Sequence, residues 1–202
     1  MFPDEVDTQN DDSSLHGGRI RSFKHERGNW ATYVYVPRKD HEEFVELLEE
    51  LLSAARARGV VLTLQEEFHL SLSQTVVLRH HWIQPFTRSL RADLAHCKRL
   101  LAPILSLSLH GPTPRTFLGM EVCSGHVQLL DLFHLDTFYK EPSFHVSLAW
   151  CVGDVTAQMK ECVQELQRVV DEREDGPFLL RLDGAELRCR TGNKTFRFPL
   201  ES

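Results

Sequence analysis

Two histidines head the same short pattern, His69-Leu70-Ser71-Leu72 and His145-Val146-Ser147-Leu148, and each follows a phenylalanine, Phe68 and Phe144. Both copies lie in strand-like sequence. Residues i and i+2 of a strand share a face, so His69 with Ser71, and His145 with Ser147, point one way while Phe68, Leu70, Leu72, Phe144, Val146 and Leu148 point into a core. An imidazole beside a hydroxyl, offered twice across a cleft, suits a phosphodiester. One imidazole takes a proton from the nucleophile, the other gives a proton to the leaving oxygen, and the hydroxyls bind the non-bridging oxygens. Histidine fits both roles because its ordinary pKa of ~6.5 lies near working pH. A lone His in a strand is more often a hydrogen-bonded surface or core residue. The repetition is what assigns these four residues to chemistry.

The other histidines and the cysteines do not assemble a metal centre. His80 and His81 precede a helix without ligand spacing, and Cys123-Ser124-Gly125-His126 is too short to supply a tetrahedral site. The five cysteines, at 97, 123, 151, 162 and 189, are odd in number and lack C-x-x-C spacing, so no disulfide framework is expected either. Reduced, packed thiols and a site without metal or cofactor follow.

The elements that must position the motifs form an α+β chain. WATYVYV (30–36) reads as a strand closed by Pro37. Phe44, Leu47, Leu48, Leu51, Leu52 and Ala55 mark a helix within 39–58, ended by Gly59. VVLTL (60–64) and FHLSLSQTVVL (68–78) read as strands, and a second helix runs from about 82 to 101 with Pro85 in its first turn. A Leu/Ser-alternating strand covers 103–110. After a GPTP turn the order begins again: strands at 115–123 and 144–152, a helix N-capped by Asp154 and reaching about 174, then short strands joined by DG and TGN turns. An internal repeat emerges, with lobe one at about 30–110, lobe two at about 115–183 and terminal strands at 185–199. Val36 to His69 spans 33 residues but Cys123 to His145 only 22, so lobe two keeps just HVQLLDLFHL of its first helix. That shortening predicts a groove or exposed apolar patch.

Composition excludes other classes. A chain of 202 residues, 42% hydrophobic and 26% charged, has the balance of a folded globular protein. It lacks the run of about 18 apolar residues that a membrane-spanning helix needs, and its N-terminus is acidic where a signal peptide is basic, so an intracellular location away from membranes is expected. Residues 1–18 hold five carboxylates and no Lys or Arg, which reads as a disordered leader before a single bilobal domain at 19–202. Basic clusters stand at Arg19, Arg21, Lys24 and Arg27, and at Arg188, Arg190, Lys194 and Arg197; a solvated face is the ordinary reading of each, a phosphate-contacting patch the other. Phe23, Trp30, Tyr33 and Tyr35 read as strand-core aromatics ahead of an RNA-stacking platform.

The two His-x-Ser motifs on a duplicated fold resemble the 2H phosphoesterases. HGGRIRSFKHERGNWATYVYVP, EFHLSLSQTVVLRHHWI, RTFLGMEV, TFYKEPSFHVSLAWCVGD and GNKTF extend the likeness over about 16–200, toward an RNA-trimming branch of that family. The resemblance implies two pseudo-symmetric lobes of antiparallel sheet plus helices around a cleft. It also implies a metal-independent, nuclear 3′→5′ exoribonuclease, monomeric, acting on single-stranded RNA. Its substrate would be the oligouridine 3′ end of U6 small nuclear RNA, left with a 2′,3′-cyclic phosphate. By motif, His69 would accept the proton and His145 donate one, with Ser71 and Ser147 on phosphate. Tyr139 would stack on the terminal base, and Glu141, Pro142, Ser143 and Phe144 would line the nucleotide pocket. Other readings are a 2′,5′- or cyclic-nucleotide phosphodiesterase, or an RNA-binding form whose catalysis the shortened helix impairs.

Overall fold

The computed structural model describes residues 26–38, 42–95, 97, 100–110, 115–122, 144–173, 178 and 180–201. Among these, three helices and ten strands follow the order β1 (Asn29–Pro37), α1 (Glu42–Ala57), β2 (Thr63–Leu64), β3 (His69–Ser71), β4 (Val76–Arg79), α2 (His80–Leu94), β5 (Leu100–His110), β6 (Arg115–Val122), β7 (His145–Val152), α3 (Thr156–Asp171), β8 (Leu180–Gly184), β9 (Glu186–Thr191) and β10 (Lys194–Pro199). Helix α1 buries Phe44, Leu47, Leu48, Leu51 and Ala55 along one stripe, with Glu42 and Glu43 at its positive end and Arg56 at its negative end. Helix α3 buries Met159, Cys162, Leu166 and Val170 in the same manner. Gly59, at φ +78°, supplies the left-handed residue that ends α1.

All ten strands belong to one antiparallel sheet in the order β10-β9-β1-β3-β7-β6-β5-β8, with β2 also on β7 and β4 also on β1. The sheet is two halves of matching layout, β3-β1-β9-β10 and β7-β6-β5-β8, joined where β3 meets β7. Two strands cross over: β5, which follows α2, pairs with β6 of the second repeat, and β9, which follows β8, pairs with β1 of the first. The strand at 100–110, expected in lobe one, therefore builds the other half. One core unites the helices with one sheet face, drawing Val34, Val36, Leu70, Leu118, Met120, Val146, Leu187 and Cys189 from the central strands. The other face is left to polar and aromatic side chains.

Several boundaries differ from expectation for local reasons. The strand expected over 68–78 breaks after Ser71, because β3 and β4 pair with different stretches of β1 and the residues between them loop out. Ser73 Oγ accepts the Val34 N–H at 2.9 Å across that gap. Only Thr63–Leu64 of the strand expected at 60–64 finds a partner. Helix α2 starts two residues early and stops at Leu94, so Pro85 falls inside it rather than in its first turn. Helix α3 starts after Val155; Asp154 sits one residue too early to cap it and instead accepts the Thr156 N–H at 3.1 Å. The DG pair does not turn a hairpin. Strand β8 lies on β5 and β9 on β1, and only Ala185 separates them, so the sheet curls enough for one residue to join the edge strand β8 to β9, the strand next to the opposite edge. The leader, the shortened segment before Tyr139, and Tyr139, Glu141, Pro142 and Ser143 lie outside the described residues.

Candidate active site

Leu70 pairs with Val146 across the β3–β7 seam, and both are fully buried. Continuing that antiparallel register by one residue each way sets His69 opposite Ser147 and Ser71 opposite His145. Their side chains share the sheet face away from the helices, since strand neighbours alternate. The two histidines occupy diagonal positions, whose Cα atoms lie about 7–8 Å apart in such a ladder. That spacing admits a phosphate group between them.

Strand β1 adds two aromatic rings to the same face. The Tyr35 and His69 ring centroids are 4.9 Å apart, Tyr33 and His69 5.7 Å, and Tyr33 and Tyr35 5.3 Å. Tyr35 is buried, as the reading of these aromatics as core expects, whereas Tyr33 is only half-buried; neither packs in the core cluster under the helices. Across from them on β9, Arg190 pairs with Tyr33 and Arg188 with Tyr35. Arg190 reaches the Glu67 carboxylate at 3.4 Å, and Arg188 holds Glu186 through Nε at 2.7 Å. Arg188 and Arg190 of the second basic cluster thus lie on the histidine face. Trp30, by contrast, packs on His80 and under Lys194.

Burial sets the charge state of His69. It pushes the imidazole below its ordinary pKa, the main-chain carbonyl and carboxylate of Glu67 pull back upward, and the charges of Arg190 and His145 push down again. The buried Nδ1 has no partner in strict hydrogen-bond geometry. A neutral ring at neutral pH is the form that accepts a proton. Tyr33 is also shifted, upward, chiefly by burial and against the influence of Arg190. On the far side of the seam Glu121 stands opposite His145 in the β6–β7 ladder.

A cavity of about 250 Å³ opens beside His69. Tyr33 and Arg190 line it from one half of the sheet, Arg115 and Trp150 from the other, and the connection Gln65–Glu67 closes its side. Trp150 reaches this face because of a register shift. Leu118 pairs with Ala149 but Gly119 with Ser147, leaving Leu148 as an extra residue in β7. Leu148 and Ala149 both join the core, and beyond them alternation is inverted, which re-aims Trp150 toward the histidines. Gln65 N–H donates to the Leu148 carbonyl at 3.0 Å, anchoring the connection beside the bulge. Arg115 lies over the Trp150 ring, 5.5 Å from its centroid.

The structure sets the four residues that the sequence singled out on one face and brings others beside them. His69, Ser71, His145 and Ser147 share one face. Phe144 is buried in the core cluster behind that face, so any contact it makes with a nucleotide runs through its main chain. Trp150 had no local signal, because unbroken alternation from His145 sends it the wrong way. Arg190 was visible only as part of a charge cluster, and Gln65 and Glu67 not at all.

Paired His-x-Ser strands at the seam of a two-part antiparallel sheet define the 2H phosphoesterase fold. The structure of Kluyveromyces marxianus Usb1 with uridine monophosphate matches with a TM-score of 0.59, covering 84% of this chain and 98% of that one at 13% identity. A second structure of that Usb1 matches at 0.55 and 14% identity, over 86% and 98% of the two chains. The family HVSL, described as an uncharacterised conserved protein, matches residues 1–199. Several relatives carry the name U6 snRNA phosphodiesterase 1. The Danio rerio protein is 52% identical over all of this chain and 78% of its own length, the Homo sapiens protein 49% over all of this chain and 81% of its own, and the Drosophila melanogaster protein 39% over 95% and 78%. By these matches the chain belongs to the U6 snRNA phosphodiesterase 1 family, and it is a phosphodiesterase.

Proposed function

We propose that this chain is a metal-independent, nuclear 3′→5′ exoribonuclease that works as a monomer on the oligouridine 3′ end of U6 small nuclear RNA and leaves a 2′,3′-cyclic phosphate. The observation that supports this reading most is the Leu70–Val146 pairing, whose register sets two imidazoles and two hydroxyls around one phosphate-sized space.

The cheapest nucleophile is the RNA's own 2′-hydroxyl, held beside the scissile phosphate at high effective molarity. His69, kept neutral by burial, removes the 2′-hydroxyl proton. The 2′-oxygen forms its bond to phosphorus as the bond from phosphorus to the 5′-oxygen of the terminal nucleotide breaks, and His145 gives that oxygen its proton. Ser71 and Ser147 donate hydrogen bonds to the non-bridging oxygens, where charge builds in the transition state. Tyr139 stacks on the departing base, and the stretch from Glu141 to Phe144 borders it.

Single-turnover cleavage of a labelled oligouridine in EDTA, with the product ends weighed by mass spectrometry, tests the whole reading. One-nucleotide steps and a cyclic phosphate are expected. Cleavage that appears only with added zinc or manganese overturns the metal-free assignment, and preferential cleavage of 2′,5′-oligoadenylate overturns the substrate.

A further inference from the structure

The cavity beside His69 is larger than proton transfer needs and lies on the side of the site away from His145, which is not among its lining residues. Besides His69, its lining combines rings and cations, Tyr33 and Trp150 with Arg115 and Arg190, with the amide of Gln65 and the carboxylates of Glu66 and Glu67 at its edge, the last of these paired with Arg190. Such a set recognises a nucleotide, since a ring stacks on a base, guanidinium groups hold phosphate, and an amide offers both donor and acceptor to a base edge. The bulge at Leu148 points the same way, because it inverts alternation and brings Trp150 to the site face.

We infer that this cavity seats the penultimate nucleotide of the RNA, with its base against Trp150 and the phosphate on its 5′ side between Arg115 and Arg190. The inference rests on the proposed reaction in one respect. His145 protonates the oxygen of the departing terminal nucleotide, so that nucleotide lies on the His145 side, and the ribose whose 2′-hydroxyl faces His69 is the penultimate one. Arg115 over the Trp150 ring keeps a cation beside the platform. The Arg190–Glu67 contact ties the phosphate-side guanidinium to the connection that walls the cavity. The penultimate base therefore contributes to affinity, and the enzyme reads two nucleotides rather than one.

The test is binding of a short oligouridine whose penultimate sugar is 2′-deoxy, so that it cannot form the cyclic product. Versions lacking either the penultimate base or the base third from the end are titrated in parallel. Loss of the penultimate base should weaken binding by the worth of one base–aromatic stack, roughly five- to hundredfold, and loss of the third base should change little. In Trp150→Ala that penalty should vanish, and in Trp150→Phe it should largely return. Unchanged affinity of the wild-type protein for the penultimate-abasic RNA overturns the subsite, as does a full penalty persisting in Trp150→Ala. Should Trp150→Ala fail to fold by circular dichroism, the wild-type comparison and Trp150→Phe still decide. Cleavage of unmodified oligouridine separates the two readings. A protein that does not cut it yet binds with the penultimate-base dependence sinks the proposed reaction and keeps the subsite, while cleavage indifferent to that base sinks the subsite alone.

Discussion

Leu70 and Val146 face each other across the seam of the sheet, and their burial on the helix side places His69 beside Ser147 and Ser71 beside His145 on the other. The contact is apolar, yet it sets the geometry of the polar site. A shift of one residue in this register would turn one of the two motifs toward the core.

Leu70→Ala should therefore damage activity without removing any group that touches RNA. The leucine is fully buried among Val36, Val146 and the helices, so its loss is expected to cost about 2–5 kcal/mol in urea unfolding. At a temperature where the variant remains folded, single-turnover cleavage should still be slowed. Wild-type rates in a destabilised but folded variant would show that the seam does not position the histidines.

His69→Ala and His145→Ala should each lower cleavage by on the order of 10²–10⁴ while leaving the thermal transition close to that of the wild type. Neither imidazole belongs to the core cluster, so little packing is lost. Near-normal turnover by either variant would falsify the two-histidine assignment.

The pH dependence follows from His69. Burial lowers its pKa from 6.5, so the acid limb of kcat/KM should lie below pH 6.5. Glu67→Gln removes a charge that favours the imidazolium and should move the limb to lower pH; Arg190→Gln removes an opposing charge and should move it back toward 6.5. Stability carries the same sign. The unfolded imidazole binds its proton near 6.5 and the folded one only at lower pH, so stabilisation present above pH 6.5 is lost as the pH falls through the folded value. Profiles measured for the three proteins contradict this account if both substitutions move the limb in one direction.

Tyr139→Ala should weaken discrimination for the terminal base more than it slows chemistry, by roughly five- to hundredfold in affinity for one lost stack. Titration with oligouridines that differ only in their last base reads the effect. Indifference to the last base in the wild-type protein would remove Tyr139 from the site.

Gly192 offers a test of the frame behind the site. It turns β9 into β10 at φ +55°, and a Cβ there would meet the Trp30 ring at 2.6 Å. Gly192→Ala should lower the unfolding midpoint through strain in the turn and displacement of that ring, with a smaller effect on Asn193→Ala beside it. Equal midpoints for the two variants would remove Gly192 from that role.

What the sequence alone determined is local and periodic. Alternation in FHLSL and FHVSL placed the histidines and serines on one face and Leu70, Leu72, Val146 and Leu148 on the other, because a strand repeats every two residues whatever its partner. Helical spacing marked the buried stripes of α1 and α3 for the same reason. Pairing between strands far apart in the chain obeys no such period, and only the tertiary structure decided it. It crossed β5 and β9 between the halves and brought Arg190 within reach of Glu67, a residue more than a hundred positions away. It also inserted Leu148 as a bulge, after which alternation counted from His145 predicts the wrong face for Trp150. A bulge is selected by the fit of β7 against β6 and β2 together, and that fit exists only once the sheet has assembled.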